Sequence, residues 1–204
     1  MNRFPTTVML AMMAISAISA LELTVQNNCA FTTWLATTPN FQIDPLPDGT
    51  VQLNSGQRYV YNIPNQGWAG RFWPKTGCDS AGTNCNFGDS APPCPANGCQ
   101  PPADTKIEFN FPPQPPNQDS WYDISLVDGY SLPISITPRG INQGSCIPTN
   151  CDLSLAACPQ DETNGLCDLR IIKNGETVAC LAPCKKWYKS LSYLNLFIVI
   201  LIII

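Results

Sequence analysis

The chain has 204 residues, including 20 Pro, 13 Gly, 11 Cys and no His, and its formal net charge is −4. Without histidine there is no Ser-His-Asp, Cys-His or His-ligated metal mechanism, so acid–base chemistry has to use carboxylates. The negative charge and the absence of any Lys/Arg run exclude a nucleic-acid-binding surface. The composition predicts short strands and turns rather than long helices, and neutral or cationic ligands.

The first 20 residues have the pattern of a secretory signal peptide. Arg3 supplies positive charge, an apolar stretch covers residues 8–18, and small residues precede position 21. We expect the mature chain to begin near Leu21 and to be secreted and extracellular. Cysteines pair in an oxidising compartment, so most of them should be structural.

Short alternating segments separated by Gly, Pro or Asn predict a mainly β fold, a sandwich or a barrel. Segments 22–27 and 31–36 flank an Asn-Asn turn signal, which predicts an N-terminal hairpin. Five further strands are predicted, at residues 57–63, 71–73, 106–111, 121–127 and 130–137.

A loop rich in Cys, Pro, Gly and Asn covers residues 78–102. This loop has too few apolar residues to form a core of its own, so disulfides must stabilise its folded structure. Two cysteine pairs are close enough in sequence to staple it locally: Cys78 with Cys85, and Cys94 with Cys99. A zinc site is disfavoured because the chain has no Cys-x-x-Cys pair and no histidine.

The cysteines become dense again from residue 146, which predicts a boundary between a main domain, 21–145, and a small disulfide-rich domain, 146–187. Residues 188–204 end in an apolar run that is shorter than the roughly 20 residues of a membrane helix. This tail has three interpretations: a marginal anchor, the cut end of a lipid-anchor signal, or noncoding sequence read past a misjoined exon. We favour the third, because no polar spacer precedes the run.

Six ordered motifs carry a family resemblance: ELTVQNNCAFTTWLA, VQLNSGQRYVYNIP, AGRFWPKTGC, PPADTKIEFNF, WYDISLVDGYSLPISITP, and CDLSLAACP with VACLAPC. They resemble the thaumatin-like family, which includes thaumatin and the osmotins, over about residues 21–187. The resemblance implies a β-sandwich, a disulfide-rich domain with the family's longer helix, a small third domain, and an acidic cleft between the first two. It also implies that the family's C-terminal portion is missing here, so that the second domain is incomplete.

The resemblance further implies a disulfide pairing. Within this chain it pairs Cys78 with Cys85, Cys94 with Cys99, and Cys158 with Cys180. The remaining cysteines are left without a partner, four because their partners would lie in the missing portion and Cys167 because it matches no family position: Cys29, Cys146, Cys151, Cys167 and Cys184.

The family's cleft is lined by one Arg, one Glu and three Asp. Arg71, Glu108, Asp123 and Asp128 match the first four, and the fifth Asp belongs to the missing portion. Strand alternation independently puts Glu108 and Asp123 on polar faces, where they can share a surface. Asp128 precedes Gly129 in an apparent hairpin turn, and for Asp128 alone we favour a turn residue of positive φ over a functional one. Arg71 is equally well explained by an ion pair between two strands.

Clustered carboxylates raise one another's pKa, which glycoside hydrolysis exploits, but they also bind sugar hydroxyls without any chemistry. Aromatic rings could stack on sugar faces, although each taken singly is more often core: Trp68, Phe72, Trp73, Trp121 and Tyr130.

Three functions are therefore considered. The first is a secreted, antifungal defence-type protein that binds β-1,3-glucan or another cell-wall polysaccharide. The second is a weak endo-β-1,3-glucanase with Glu108 and Asp123 as its catalytic pair. The third is a membrane-perturbing or inhibitory scaffold without sugar chemistry. We expect a monomer with no cofactor, no metal and no nucleic-acid partner, and a membrane association only if the tail is genuine.

Overall fold

The computed structural model describes residues 21–91, 94–96, 98–113, 119–139, 147–160, 168–183 and 185. The predicted signal peptide, the predicted tail, Cys146, Cys167 and Cys184 lie outside these residues. The described part contains twelve strands and a 3-10 turn at Leu155–Ala157. The strands are β1 (Leu21–Gln26), β2 (Thr33–Pro39), β3 (Val51–Leu53), β4 (Arg58–Ile63), β5 (Trp68–Thr76), β6 (Lys106–Phe111), β7 (Trp121–Ser125), β8 (Gly129–Tyr130), β9 (Ile134–Ile136), β10 (Thr149–Cys151), β11 (Arg170–Lys173) and β12 (Glu176–Leu181). In that part of the chain, no helix is long and apolar enough to cross a membrane.

A five-stranded antiparallel sheet in the order β3-β2-β5-β6-β7 forms the body of the protein. The two-stranded sheet of β1 and β4 packs on one face of it, and the core lies between them. Tyr61 of β4 lies 5.2 Å from Phe72 of β5, and Phe72 lies 5.9 Å from Phe109 of β6, measured between ring centroids. The predicted mainly β sandwich is confirmed.

The predicted N-terminal hairpin is wrong. β1 pairs with β4, while β2 pairs with β3 and β5, so the first two strands belong to different sheets. Asn27 explains the change of sheet. Its buried side-chain amide donates hydrogen bonds of 2.8 Å to the carbonyl oxygens of both Phe31 and Leu53. These bonds turn the chain toward the large sheet instead of folding it back on β1.

The second predicted hairpin, around Asp128 and Gly129, is wrong as well. β7 pairs with β6, whereas β8 pairs with β12 and β9 with β10. The predicted strand 130–137 is interrupted because Ser131 and Leu132 both bond to the Thr105 hydroxyl. The chain therefore leaves the large sheet after β7 and joins the small sheet β11-β12-β8.

The described residues contain three disulfides, Cys78–Cys85, Cys94–Cys99 and Cys158–Cys180, which are the pairs that the resemblance implies. The first two staple the cysteine-rich loop, and the third joins the 3-10 turn region to β12. Among the described cysteines, Cys29 and Cys151 are free and half-buried. Burial raises the pKa of the Cys29 thiol.

The cysteine-rich loop is fastened to the outer face of the large sheet, the face opposite the core. Trp73 donates its indole N–H to the Gly88 carbonyl at 2.8 Å. Lys75 reaches Asp89 Oδ1 at 2.7 Å, and both side chains are buried, at 3% and 0% exposure. The other Asp89 oxygen accepts from the Cys85 amide at 2.8 Å. The loop thus covers the C-terminal half of the outer face of β5, while Arg71 nearer the N-terminal end of the strand is exposed.

The Asp89→Asn variant should be strongly destabilised. It keeps the side-chain shape but leaves the Lys75 ammonium buried without a counter-charge, which typically costs about 3–5 kcal/mol. Urea unfolding at neutral pH measures the loss, and the same change at exposed Asp152 is the matched control, expected within about 0.5 kcal/mol of wild type. Equal stabilities of the two variants would contradict this account of how the loop is held.

Candidate functional site

Three charged side chains lie in one line across the outer face of the large sheet. Arg71 of β5 is directly opposite Glu108 of β6, and Glu108 is directly opposite Asp123 of β7. Directly opposed residues have Cβ atoms about 4.5–5.5 Å apart, so the three groups are immediate neighbours. Arg71 and Asp123 are exposed and Glu108 is half-buried. We call these three residues the ionic row.

The ionic row follows from the two-residue period of the strands. Each residue of the row has a chain neighbour in or against the core: Phe72 follows Arg71, Phe109 follows Glu108, and Tyr122 precedes Asp123. The opposite face then has to carry the residues before or after them. Glu108 and Asp123 share a surface, as the alternation predicts, and Arg71 completes the line.

Within the ionic row, Asp123 has a raised pKa. Burial raises the pKa of Asp123, and the negative charge of Glu108 raises it further. Asp123 therefore holds its proton to higher pH than an ordinary aspartate. On its other side, Glu108 is paired across the strands with Arg71 of β5. Arg71 offers hydrogen-bond donors, Glu108 offers a carboxylate acceptor, and Asp123 offers a carboxyl that holds its proton more readily than an ordinary aspartate does.

Asp128, the fourth predicted site residue, is not part of this row; it belongs to an ion-paired cluster with Lys106, which stands two residues before Glu108 on β6. One of its oxygens contacts Lys106, and the other lies 2.6 Å from the Lys185 ammonium. Burial raises its pKa, but the hydrogen bonds and charges of Lys106 and Lys185 outweigh burial and lower it. Because each of its oxygens has an ammonium partner, Asp128 is already engaged within the protein.

The turn interpretation of Asp128 needs a correction. The residue of positive φ is its neighbour Gly129, at 144°, and Asp128 is not among the non-glycine residues of positive φ in the described part of the chain. A Cβ on Gly129 would stand 2.2 Å from the Cys180 carbonyl oxygen. Glycine is therefore required there by both conformation and space, while Asp128 is held by its lysines.

Asp104 is a buried carboxyl that the sequence reasoning missed. One oxygen accepts from the Ser90 hydroxyl, and the other has no hydrogen-bond partner among the described residues. Burial raises its pKa to about 6, although Ser90 and Lys106 act in the opposite direction. Residues two apart along a strand share a face, so Glu108, Lys106 and Asp104 would all be expected on the outer face. This alternation could have placed Asp104 at the end of the face that the cysteine-rich loop covers.

Of the five candidate aromatic residues, Trp121 alone stays accessible beside the ionic row. Trp68, Phe72 and Trp73 are buried in the fold. Tyr130 is half-buried and donates its hydroxyl to the Ser154 carbonyl at 3.0 Å. Trp121 is 48% exposed and lies two residues before Asp123 on the same face of β7.

A cavity of about 550 Å³ lies away from the ionic row, between the end of the cysteine-rich loop and the hairpin of β11 and β12. Its apolar lining includes Pro102, Leu169 and Ile171. Lys185 also lines it, and the same side chain pairs with Asp128. The cavity lining therefore includes no residue of the ionic row, and through Lys185 it reaches the ion pairs of Asp128.

Comparison with known proteins identifies relatives over most of the chain. A family model described as the Thaumatin family matches residues 27–192. A Prunus avium protein named glucan endo-1,3-beta-glucosidase is 34% identical over 187 residues, covering 87% of this chain and 71% of the relative. Pathogenesis-related protein 5 of Arabidopsis thaliana is 34% identical over 175 residues, covering 84% and 68%. Thaumatin-like protein 1 of Castanea sativa is 34% identical over 184 residues, covering 86% and 70%.

The Asp104→Asn variant should stabilise the protein at pH 7 and change little at pH 4. The folded-state pKa of Asp104, about 6, is above the ordinary value of 3.8, so folding favours its neutral form. The stability contributed by this group is fully present below about pH 4 and is lost as the pH rises through about 6. Asparagine stays neutral throughout, and the gain at pH 7 should reach up to about 3 kcal/mol.

Urea unfolding of wild type and Asp104→Asn at both pH values measures this difference, with Asp152→Asn as the exposed control. An Asp104→Asn effect of the same size and sign at pH 4 and pH 7 would show that Asp104 does not titrate in this range.

Proposed function

Because this chain belongs to the thaumatin family, we propose that it is a secreted defence-type protein that binds β-1,3-glucan of cell walls through the outer face of its large sheet. The single observation that carries the proposal is the ionic row on the uncovered half of that face, with Trp121 beside it. Three disulfides in the described part of the chain suit an extracellular compartment.

The chemistry of the ionic row suits a neutral sugar polymer. Sugar hydroxyls both donate and accept hydrogen bonds, and the row supplies a guanidinium donor at Arg71 and carboxylate acceptors at Glu108 and Asp123. The apolar face of a sugar ring can stack on the exposed indole of Trp121. The row combines one cation with two acidic groups and carries no run of like charges, which suits a neutral ligand better than a polyanion.

The choice of β-1,3-glucan rests on a relative. The Prunus avium protein carries the name glucan endo-1,3-beta-glucosidase and shares 34% of aligned residues with this chain. A polymer of that linkage is therefore the first ligand to test, and a β-1,4-linked glucan of similar size is the natural comparison.

A second candidate function is weak hydrolysis of the same polymer, favoured by the raised pKa of Asp123 next to Glu108. Asp123 would donate its proton to the leaving glycosidic oxygen, and Glu108 would act as the ionised carboxylate on the sugar's reacting carbon or on an attacking water. The rate would fall as Asp123 loses its proton with rising pH. Asp128 has no part in this scheme, because its oxygens are held by two lysines.

The Glu108→Gln variant tests both candidates. Sedimentation with insoluble β-1,3-glucan should show binding by wild type and roughly 10-fold or more weaker binding by the variant, since a charged hydrogen-bond acceptor is lost from the centre of the row. The same change at exposed Glu176 on β12, in another sheet, should leave binding unchanged.

Release of reducing ends from soluble β-1,3-glucan, measured on the same proteins, separates binding from hydrolysis. Turnover by wild type that Glu108→Gln abolishes supports the enzyme. Binding without turnover supports the binding protein alone. Wild-type affinity in Glu108→Gln would contradict the proposed role of the ionic row in either case.

A further inference from the structure

The ionic row continues onto β2 through Thr38. Thr38 is directly opposite Arg71 in the pairing of β2 with β5, and directly opposed residues of an antiparallel pair have their side chains on the same face of the sheet. Thr38 is half-buried, as Glu108 is. Because β3 pairs with β2 only at Thr33–Leu35, no strand of the described part continues this line beyond Thr38. We call Thr38 together with the ionic row the extended row.

The outer face of β5 is exposed only at Arg71. The residues two positions before and after it on the same face, Ala69 and Trp73, are 7% and 2% exposed. On the Trp73 side the cysteine-rich loop covers the strand, since the Gly88 carbonyl accepts from the indole. A ligand that contacts Arg71 therefore finds no accessible side chain further along β5 on this face. The accessible polar groups continue across the strands instead, along the extended row.

The side chains of the extended row are not engaged with one another. No member of the row takes part in an ion pair within the described part of the chain. The Thr38 hydroxyl makes no hydrogen bond with the described residues either, and unlike the Thr37 hydroxyl it is not buried. In contrast, each Asp128 oxygen is held by a lysine. A ligand can thus bind the extended row without first breaking a contact inside the protein.

We propose that Thr38 is a contact for the polysaccharide, and that the sugar chain crosses four strands along the extended row, from Asp123 and Trp121 on β7 to Thr38 on β2. This inference rests on the proposed binding of β-1,3-glucan. It adds that the site takes an extended oligosaccharide, because the row spans three inter-strand spacings, about 14 Å, which exceeds a single sugar ring.

The two ends of the extended row offer different chemistry. The Thr38 hydroxyl both donates and accepts hydrogen bonds, as a sugar hydroxyl does, while its neighbour Arg71 only donates. At the β7 end, the exposed Trp121 lies two residues before Asp123 on the same face and offers a ring for stacking. A short oligosaccharide should therefore bind at the β7 end, and only a longer one should reach Thr38.

The test is titration calorimetry with a hexamer and a dimer of β-1,3-linked glucose. Thr38→Val keeps the size and β-branching of the side chain and removes the hydroxyl, so it should weaken hexamer binding about 5-fold and leave dimer binding unchanged. Thr38→Ser keeps the hydroxyl and should retain the wild-type affinity for the hexamer. Trp121→Ala, at the other end, should weaken the binding of both ligands.

Thr37→Val is the matched control. Thr37 is opposite Phe72 on the core side of the same strand, and its hydroxyl is buried without a hydrogen-bond partner among the described residues. Removing this hydroxyl breaks no bond, so the variant should bind both ligands as wild type does.

The outcomes separate the two proposals. Wild-type hexamer binding by Thr38→Val would overturn the role of Thr38 and leave glucan binding standing. Equal losses in Thr38→Val and Thr38→Ser, or in Thr38→Val and Thr37→Val, would overturn the role of the hydroxyl. A Thr38→Val loss of the same size for dimer and hexamer would overturn the extended placement. Failure of wild type to bind the hexamer would overturn both proposals.

Discussion

The antiparallel register of β5, β6 and β7 is the constraint on which the candidate site depends. One face of these strands buries Phe72 and Phe109 against the two-stranded sheet, and the other face is then obliged to carry Arg71, Glu108 and Asp123. A slip of one residue in any strand would exchange its faces, burying a charge and exposing an aromatic ring. The core therefore fixes the alignment of the ionic row.

The outer face is divided by a second interaction, the buried pair of Lys75 and Asp89. It holds the cysteine-rich loop over one end of β5, and the disulfide Cys78–Cys85 closes that loop. Toward the other end of the same face, Arg71, Asp123 and Trp121 are exposed and Glu108 is half-buried. Outside the cysteine-rich loop there is a second group of ion pairs, in which Asp128 is bound by Lys106 and Lys185. The ionic row itself keeps one cation and two acidic groups, and the Asp128 cluster adds two lysines against one carboxylate.

Local patterns of the sequence were sufficient for the faces of the strands and for the neighbouring positions of Glu108 and Asp123. They were insufficient wherever a partner is distant in sequence. Asn27 sends the chain to another sheet through a bond to Leu53, and Thr105 interrupts the strand after β7 from 26 residues away. The two lysines that engage Asp128, like the burial of Asp104, depend on the tertiary fold. Strand period predicts a side chain's face but does not predict which element covers it.

The central claim, that glucan binds on the outer face beside the ionic row, is tested most directly by nitrogen-proton correlation spectra of the backbone amides and tryptophan indoles during titration with a β-1,3-linked glucose hexamer. The account predicts a large shift for Trp121 and small ones for Trp68 and Trp73, which are buried. Shifts confined to Leu169, Ile171 and their neighbours, with Trp121 unchanged, would place the ligand in the cavity beside β11 and contradict the account.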